Sequence, residues 1–453
     1  MAFALLFAVS LGIAVPDRPQ QDPARERSDI LLVLTDDQPA DTVSEMPKLR
    51  EGLVEGGVTF ERGFVTDPLC CPSRASILTD RYPHNHGIET NSFPGGGAEK
   101  YQEEGLDGDT IATRLKEAGY STGYFGKYLN EYRGRYVPPG WDRWFAYSGS
   151  ATADRSYDIN DQGRVITYTH SHTNETDLTA DRAAGFIDEH AKDPWFMVVG
   201  TRAPHGPHRP SDNHRNDFNE VDLPRFGEGD VSDKPAAVRN APPLDERRTD
   251  RLREEYEGKL ETLQDVDDLV GKLLNRLEAT GQLEDTYVIF ASDNGYFLGQ
   301  HRLTKKSLPY EEAIRIPFVV RGPGVPARKL DHLVINSDFA PTVADLAGIE
   351  PPGFVDGKSF APLLREGRPS PEAWRTGFMV EHASPSYEAL RTNDRTYIEW
   401  ENGDRELYDL REDPEQLRNV HKTADRALLG SLEAQLDALR GCAAELCRAA
   451  ERR

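Results

Sequence analysis

The chain has 453 residues, 37% of them hydrophobic and 9% aromatic, and a formal net charge of −23. That apolar content can bury the core of one large domain, with or without a smaller one, and excludes a wholly disordered chain. The acidic balance argues against a nucleic-acid binder, which needs a basic footprint, so an anionic substrate would have to be met by a local cluster of cations.

Ala2 to Val15 form an apolar run too short for an ordinary membrane span, followed by a polar, proline-containing linker. This is the outline of a secretory segment, although no basic residue precedes it and no clean small-x-small cleavage site follows. It sets residues 1–27 apart as a signal segment and linker and points to a secreted, periplasmic or cell-surface protein. No later stretch reads as a transmembrane span.

Asp29 to Asp37, DILLVLTDD, is a short apolar run ending in two carboxylates, and Thr286 to Tyr296, TYVIFASDNGY, repeats the pattern. Each reads as a buried parallel strand with polar residues at its C-terminal end. Between them, GDTIATRLKEAGYSTGYFGKYLN predicts a helix, a glycine turn and a strand, and DPWFMVVGTRAPHGPH a strand opening into a loop. His208 to Asp245, rich in Pro, Asp and Arg, reads as a long surface excursion. Leu252, Tyr256, Leu260, Leu263, Val266, Val270, Leu273 and Leu277 then recur at helical spacing, and Gly281 follows as a stop. RIPFVVRGPG supplies a further strand and SDFAPTVADLAGI a helix.

This alternation predicts an α/β sandwich with a mostly parallel central sheet, whose binding crevice lies at the carboxyl ends of the strands. From about Pro369 the pattern changes to a small antiparallel sheet with a terminal helix. The expected division is a catalytic domain over 28–368 and a C-terminal subdomain over 369–453.

Only four cysteines are present. Cys442 and Cys447 could form a local disulfide or stay free, and a bridge would require the helix carrying them to end or bend. The adjacent Cys70 and Cys71 pose four alternatives: a disulfide, a metal clip, a buried packing element or a nucleophile.

Asp36, Asp37, Asp293 and Asn294 offer only oxygen ligands at the ends of two predicted core strands. Taken singly, such pairs are commonly helix caps or turns. Taken together they predict a site for a hard cation, Ca²⁺ in preference to Mg²⁺ because it tolerates mixed carboxylate and amide geometry.

The cysteine segment PLCCPSRASILTDRYPH, with Cys70, Pro72, Ser73, Arg74, Leu78, Thr79, Asp80 and Arg81, resembles the signature of the type I sulfatases, C-x-P-S-R-x-x-x-L-T-G-R. TDDQ, GYFGKYLNEY, APHGPH, SDNGYFLGQHRL and YEEAIRIPFVVRGPG occur in the family's order, and GKYLNEY looks closest to the N-acetylglucosamine-6-sulfatase and arylsulfatase-like branch. The resemblance implies an alkaline-phosphatase-like fold and sulfate-ester hydrolysis. It also implies one bound Ca²⁺ and oxidation of Cys70 to Cα-formylglycine by a formylglycine-generating enzyme.

That modification makes chemical sense. A soft thiolate is a poor partner for a hard cation, whereas a hydrated aldehyde offers one hydroxyl to the metal and the sulfur atom and a second whose deprotonation later expels sulfate. Cys70 would thus join Asp36, Asp37, Asp293 and Asn294 around the ion. The resemblance further implies that Arg74 holds the hydrate or a cation ligand, that Lys127 and Lys306 contact the sulfate, and that His205 serves the leaving oxygen, with a weaker case for His208. Cys71 occupies the variable position.

Three features depart from the family pattern or lack a role in it. Asp80 stands where glycine is usual, and Leu129 stands where many members carry the histidine that assists the hydrate, which leaves Asn130 or another residue for that task. His84, His86, His170 and His172 match no role. The expected substrate is a sulfated small molecule or carbohydrate, with 6-O-sulfated N-acetylglucosamine favoured and Glu381, His382 and Arg391 as candidates for a substrate rim. The alternatives are a phosphate or phosphonate ester hydrolase of the same superfold and a non-catalytic binder of sulfated glycans.

Overall fold

The computed structural model describes residues 27–149, 156–171, 173–224 and 230–453. The expected secretory segment, His172 and part of the 208–245 excursion lie outside the described residues. Within them no helix is long and apolar enough to cross a membrane.

A ten-stranded sheet organises the chain: β1 (Asp29–Thr35), β2 (Val58–Phe60), β3 (Ser121–Gly126), β4 (Arg143–Ser148), β5 (Ser156–Asp161), β6 (Arg164–Thr169), β7 (Trp195–Gly200), β8 (Thr286–Ser292), β9 (Phe318–Arg321) and β10 (Arg328–Leu330). Its spatial order is β10-β2-β9-β8-β1-β7-β3-β4-β5-β6. The five strands from β8 to β4 run parallel, and antiparallel pairs extend the sheet on both sides. Every residue of β1 is buried, as its continuous apolar run requires of a strand covered on both faces.

Side chains alternate between two cores. Ile30, Leu32 and Leu34 face one layer, with Ala75, Ile77 and Leu78 of α1 (Cys70–Thr79), Ile111 and Leu115 of α2 (Ile111–Glu117) and the helix Phe339–Leu346. Leu31 and Val33 face the other, with α3 (Glu175–Glu189) and α4 (Glu246–Ala279). The apolar stripe of α4 is buried at Leu252, Leu260, Leu263, Val266, Val270, Leu273 and Leu277, while Tyr256 is half-buried. Phe339–Leu346 becomes α5. Helices α2, α4 and α5 and strands β1, β3, β7, β8 and β9 arise where the sequence pattern predicts, whereas α3 and the strands β2, β4, β5, β6 and β10 have no counterpart in that reading.

The chain then forms a four-stranded antiparallel sheet, β11 (Gly377–Ala383), β12 (Ser386–Thr392), β13 (Arg395–Trp400) and β14 (Arg405–Asp409), followed by α6 (Arg426–Arg440) and α7 (Glu445–Ala450). The helical tail breaks between α6 and α7, and Cys442 and Cys447 form a disulfide across that break. Three expectations need correction here. His382 and Arg391 do not open onto a rim, because both are buried: His382 pairs with Asp67 at 2.9 Å and Arg391 with Glu311 at 2.6 Å. Glu381 is only partly exposed and is engaged by His84 at 2.7 Å. The 208–245 excursion is not purely superficial, since Lys234 and Val238 are buried and Lys234 reaches the Tyr408 hydroxyl at 3.0 Å.

Asp80 adopts the left-handed conformation, φ 65°, that ends α1, which explains why glycine suits this position. Asp is among the few other residues that tolerate it, and Arg114 reaches the Asp80 carboxylate at 3.2 Å.

Candidate active site

Four strand ends and one helix start converge. Asp36 and Asp37 follow β1, and Asp293 and Asn294 follow β8; the pairing of Thr35 with Ser292 sets the two carboxylate pairs side by side, with Asp293 N–H donating to Thr35 O at 3.0 Å. Lys127 follows β3, where Gly126 turns the chain at φ +94° with its α-carbon so close to Gly200 that a Cβ would lie 1.9 Å from the Gly200 carbonyl. His205 sits in the loop after β7. Cys70 is the first residue of α1, whose N-terminus adds partial positive charge. Lys306 follows a small hairpin of Phe297–Leu298 and Thr304–Lys305.

Ligand atoms of Asp36, Asp37, Cys70 and Asp293 all lie within 4.8 Å of one another, and all four residues are buried. The Cys70 thiol is 3.3 Å from Asp36 Oδ1 and 2.7 Å from Lys306 Nζ. Lys306 Nζ also donates to Asp37 Oδ1, and Lys127 Nζ donates to Asp36 Oδ2 and lies 3.9 Å from Asp293 Oδ2. Arg74 Nε donates to Asp293 Oδ2 at 2.6 Å, and its Nη1 donates to the Lys127 carbonyl at 2.8 Å. Arg74 thus grips a carboxylate and braces the Lys127 turn. His205 Nε2 faces Asp37 Oδ2 at 3.8 Å, while its Nδ1 is 2.5 Å from the Gly206 carbonyl, which assigns the Nδ1 proton to that hydrogen bond.

Burial opposes every charge here, and the neighbours decide the outcome. Against burial, Lys127, His205, Lys306 and Arg74 hold the Asp36 carboxyl well below the usual range, and Lys306 with His205 and Lys259 lowers Asp37 despite the repulsion of Asp36. Asp293 goes the other way: burial and Asp36 push it up more than Arg74 and Lys127 pull it down. Arg74 is nonetheless held firmly charged by Asp293. The positive charge of a divalent cation among the three carboxylates would offset the push on Asp293. Burial and Asp36 also drive the Cys70 thiol far up, so as a thiol it stays protonated.

The donor set fits Ca²⁺. Asp36, Asp37, Asp293 and Asn294 present oxygens, and Asn294 Oδ1 is buried with no hydrogen-bond partner, which a cation would satisfy. Cys70 Sγ is the one soft atom in the cluster, at the position where the resemblance puts an oxygen-bearing modified residue.

Lys259 was not singled out from the sequence. It lies in the register of the α4 apolar stripe, one residue before Leu260, and a charged residue there was the available signal. It is fully buried, and its Nζ donates to the carbonyls of Asp37 and Pro204, each at 3.2 Å. His208 is also drawn in, packed against Gly258 of α4, and burial together with Lys259 and His205 lowers its pKa to about 3, so it stays neutral. Asn130 makes no side-chain hydrogen bond to Cys70 among the described residues: its Oδ1 is buried without a partner and its carbonyl accepts from Ala98 N–H at 2.8 Å. Cys71 is buried and its N–H donates to Asn91 Oδ1 at 2.9 Å. His84 bonds Glu381 and the Cys442 carbonyl, His86 bonds Ser76, and His170 lies 3.4 Å from Arg209. All three are remote from the carboxylate cluster in bonding.

Three acids, three cations and a cysteine thus cluster at the strand ends of the mixed α/β sheet. Residues 28–349 match the family model described as Sulfatase, and residues 299–441 match N-sulphoglucosamine sulphohydrolase, C-terminal. The chain belongs to the sulfatase family. It is 33% identical over 477 residues to the N-acetylglucosamine-6-sulfatase of Homo sapiens, covering 93% of this chain and 86% of that protein. It is 36% identical over 376 residues to the extracellular sulfatase SULF-1 homolog of Drosophila melanogaster, covering 79% of this chain. The chain spans 33% of the length of that fly relative and 54% of its Caenorhabditis elegans counterpart. Among solved structures, BT4656 in complex with its substrate D-glucosamine-2-N,6-O-disulfate superposes with a TM-score of 0.79 at 23% identity, over 94% of this chain and 99% of that one, and so shares its fold.

Proposed function

We propose that the protein is a sulfuric ester hydrolase that cleaves sulfate monoesters to alcohol and sulfate. The observation that carries this reading is the position of the Cys70 side chain, 2.7 Å from Lys306 and 3.3 Å from Asp36, at the start of the helix that bears the C-x-P-S-R motif. Asp36, Asp37, Asp293 and Asn294 would hold Ca²⁺, which when bound neutralises charge on the sulfuryl oxygens and on the nucleophile. A formylglycine hydrate made from Cys70 by a formylglycine-generating enzyme would supply the nucleophile.

The chain's own groups then divide the work. Lys127 and Lys306 offer ammonium donors to sulfate oxygens on which charge develops during transfer. Arg74 keeps Asp293 aimed and the Lys127 turn in place. His205, 38% exposed at its side chain and so open to solvent, gives a proton to the departing alcohol oxygen from Nε2 when its ring is doubly protonated, the Nδ1 proton staying on the Gly206 carbonyl. Neutral His208 beside it adds no competing charge.

The substrate we favour is a carbohydrate carrying a 6-O-sulfated glucosamine at its end. The name of the human relative supports this, and the exocyclic sulfate of such a sugar stands away from its ring, so that it can meet Lys127 and Lys306 while the ring stays outside. The disulfide in the C-terminal tail and the N-terminal apolar run support an exported protein. Sulfate and phosphate release from matched aryl esters tests the class, and terminal against internal 6-O-sulfated N-acetylglucosamine tests the substrate. Faster phosphate release than sulfate release overturns the first, and faster cleavage of the internal sulfate overturns the second.

A further inference from the structure

His205 stands on a loop, yet proton delivery to a leaving oxygen needs a side chain placed to within a fraction of an ångström. Several contacts fix that loop. Asp36 N–H donates to the Ala203 carbonyl at 3.3 Å, Thr201 Oγ1 donates to the same carbonyl at 2.8 Å, and His205 N–H donates to the Arg202 carbonyl at 2.8 Å. These hold the start of the loop. The Pro204 carbonyl, next to His205, is instead held from α4 by Lys259.

Lys259 is an expensive way to make that contact. Its ammonium is fully buried, with two carbonyls and the face of Tyr296, 3.6 Å from the ring centroid, as its partners. The two carbonyls come from the two loops that must be kept in register: Asp37 carries a carboxylate of the metal cluster, and Pro204 precedes the histidine. The preceding helix residue serves the same loop. A Cβ on Gly258 would lie 2.8 Å from Cβ, Cγ and Cδ2 of His208, so α4 leaves room there for the far end of the 203–208 segment. Consecutive residues of one helix therefore seat both sides of His205, one by an ammonium that donates to two carbonyls and one by a missing side chain.

We infer that Lys259 is a positioning residue for His205, locking the Pro204–His208 loop to the Asp37 loop so that Nε2 points at the leaving oxygen. The inference rests on the reading of His205 as the leaving-group acid. It carries a signature that general destabilisation lacks. Help to a leaving group matters little when the alcohol is a strongly acidic phenol, which departs unaided, and greatly when it is a sugar hydroxyl.

The experiment compares Lys259→Met, Lys259→Arg, Gly258→Ala and His205→Gln with the parent enzyme. Turnover is measured on aryl sulfates of graded phenol acidity and on an alkyl or sugar sulfate, with Ca²⁺ content and thermal midpoint recorded for each. Lys259→Met should stay within a few-fold of the parent on the most acidic phenol and lose about 100-fold on the alkyl sulfate. Its leaving-group dependence should thus be as steep as that of His205→Gln. Lys259→Arg should restore most of the alkyl activity, and Gly258→Ala, which moves the loop without changing a charge, should show the same steepening. Equal loss across the series for Lys259→Met and Gly258→Ala, with a steep series for His205→Gln, overturns the inference and leaves the reading of His205 standing. A flat series for His205→Gln overturns that reading and the inference with it. If Lys259→Met does not fold, Gly258→Ala and Lys259→Arg decide the matter by the same criterion.

Discussion

Arg74 and Asp293, 219 residues apart in sequence, meet in a fully buried ion pair at 2.6 Å, and the guanidinium that makes it also donates to the carbonyls of Lys127 and Tyr128. One side chain of the cysteine-bearing helix thereby sets a metal-cluster carboxylate and the turn that carries a sulfate-contacting lysine. Lysine cannot reproduce this planar fork. Arg74→Lys should therefore keep the fold and lose about 100-fold in turnover through misplacement alone. A thermal midpoint together with turnover checks it, and a variant as active as the parent would show that the fork is dispensable.

Removing a carboxylate from the cluster should remove the metal. Asp293→Ala or Asp36→Ala takes away a charged ligand and leaves Arg74 or Lys127 buried without its partner, which costs about 3–5 kcal/mol when one side of a buried pair is deleted. Bound Ca²⁺, measured by elemental analysis after dialysis, should vanish along with nearly all turnover. Full activity of either variant after exhaustive chelation would contradict the assignment.

Lys127→Met and Lys306→Met should each lower kcat by about 100- to 1,000-fold, the usual loss on deleting one donor to a charge-developing oxygen. Steady-state kinetics on a single aryl sulfate would show it. Unchanged kcat with raised KM would mean that the lysines bind ground-state sulfate only.

His84 gives a pH-dependent stability. Burial alone would lower its pKa, but the hydrogen bond and charge of Glu381, the Cys442 carbonyl and Asp356 outweigh burial and hold it above 6.5. The pair is fully charged below the unfolded value and is lost as pH rises through the higher folded value. His84→Gln should cost on the order of 1 kcal/mol at pH 5.5 and much less at pH 9. Urea unfolding at the two pH values measures the difference, and a pH-independent deficit would refute the linkage.

The strands, the long helix and the polar clusters at strand ends were legible because each obeys local periodicity, and a run buried on both faces leaves few other readings. Asp36, Asp37, Asp293 and Asn294 could be paired because two runs ended alike. Lys259 was hidden for the opposite reason: a single lysine within an apolar stripe reads as a solvated interruption until the fold brings two carbonyls to it. His382 and Arg391 misled because polar residues on an antiparallel sheet read as exposed, whereas Asp67 and Glu311, distant in sequence, bury them. The break that lets Cys442 meet Cys447 depends on contacts such as Asp356 to the Ala444 N–H at 2.6 Å, which no local pattern announces.

The central claim concerns Cys70, and Cys71 beside it supplies the control. Cys70→Ser should fold without turnover, while Cys71→Ser, whose thiol takes no part in the carboxylate cluster, should be nearly neutral. The most direct measurement is the mass of the tryptic peptide containing Cys70 from the purified, active protein, read with and without a carbonyl-trapping hydrazine. The account predicts a peptide lighter than its cysteine form at residue 70, shifted by the hydrazine, with a modified fraction that tracks specific activity. Full sulfatase activity in protein whose Cys70 is entirely an intact thiol would contradict it.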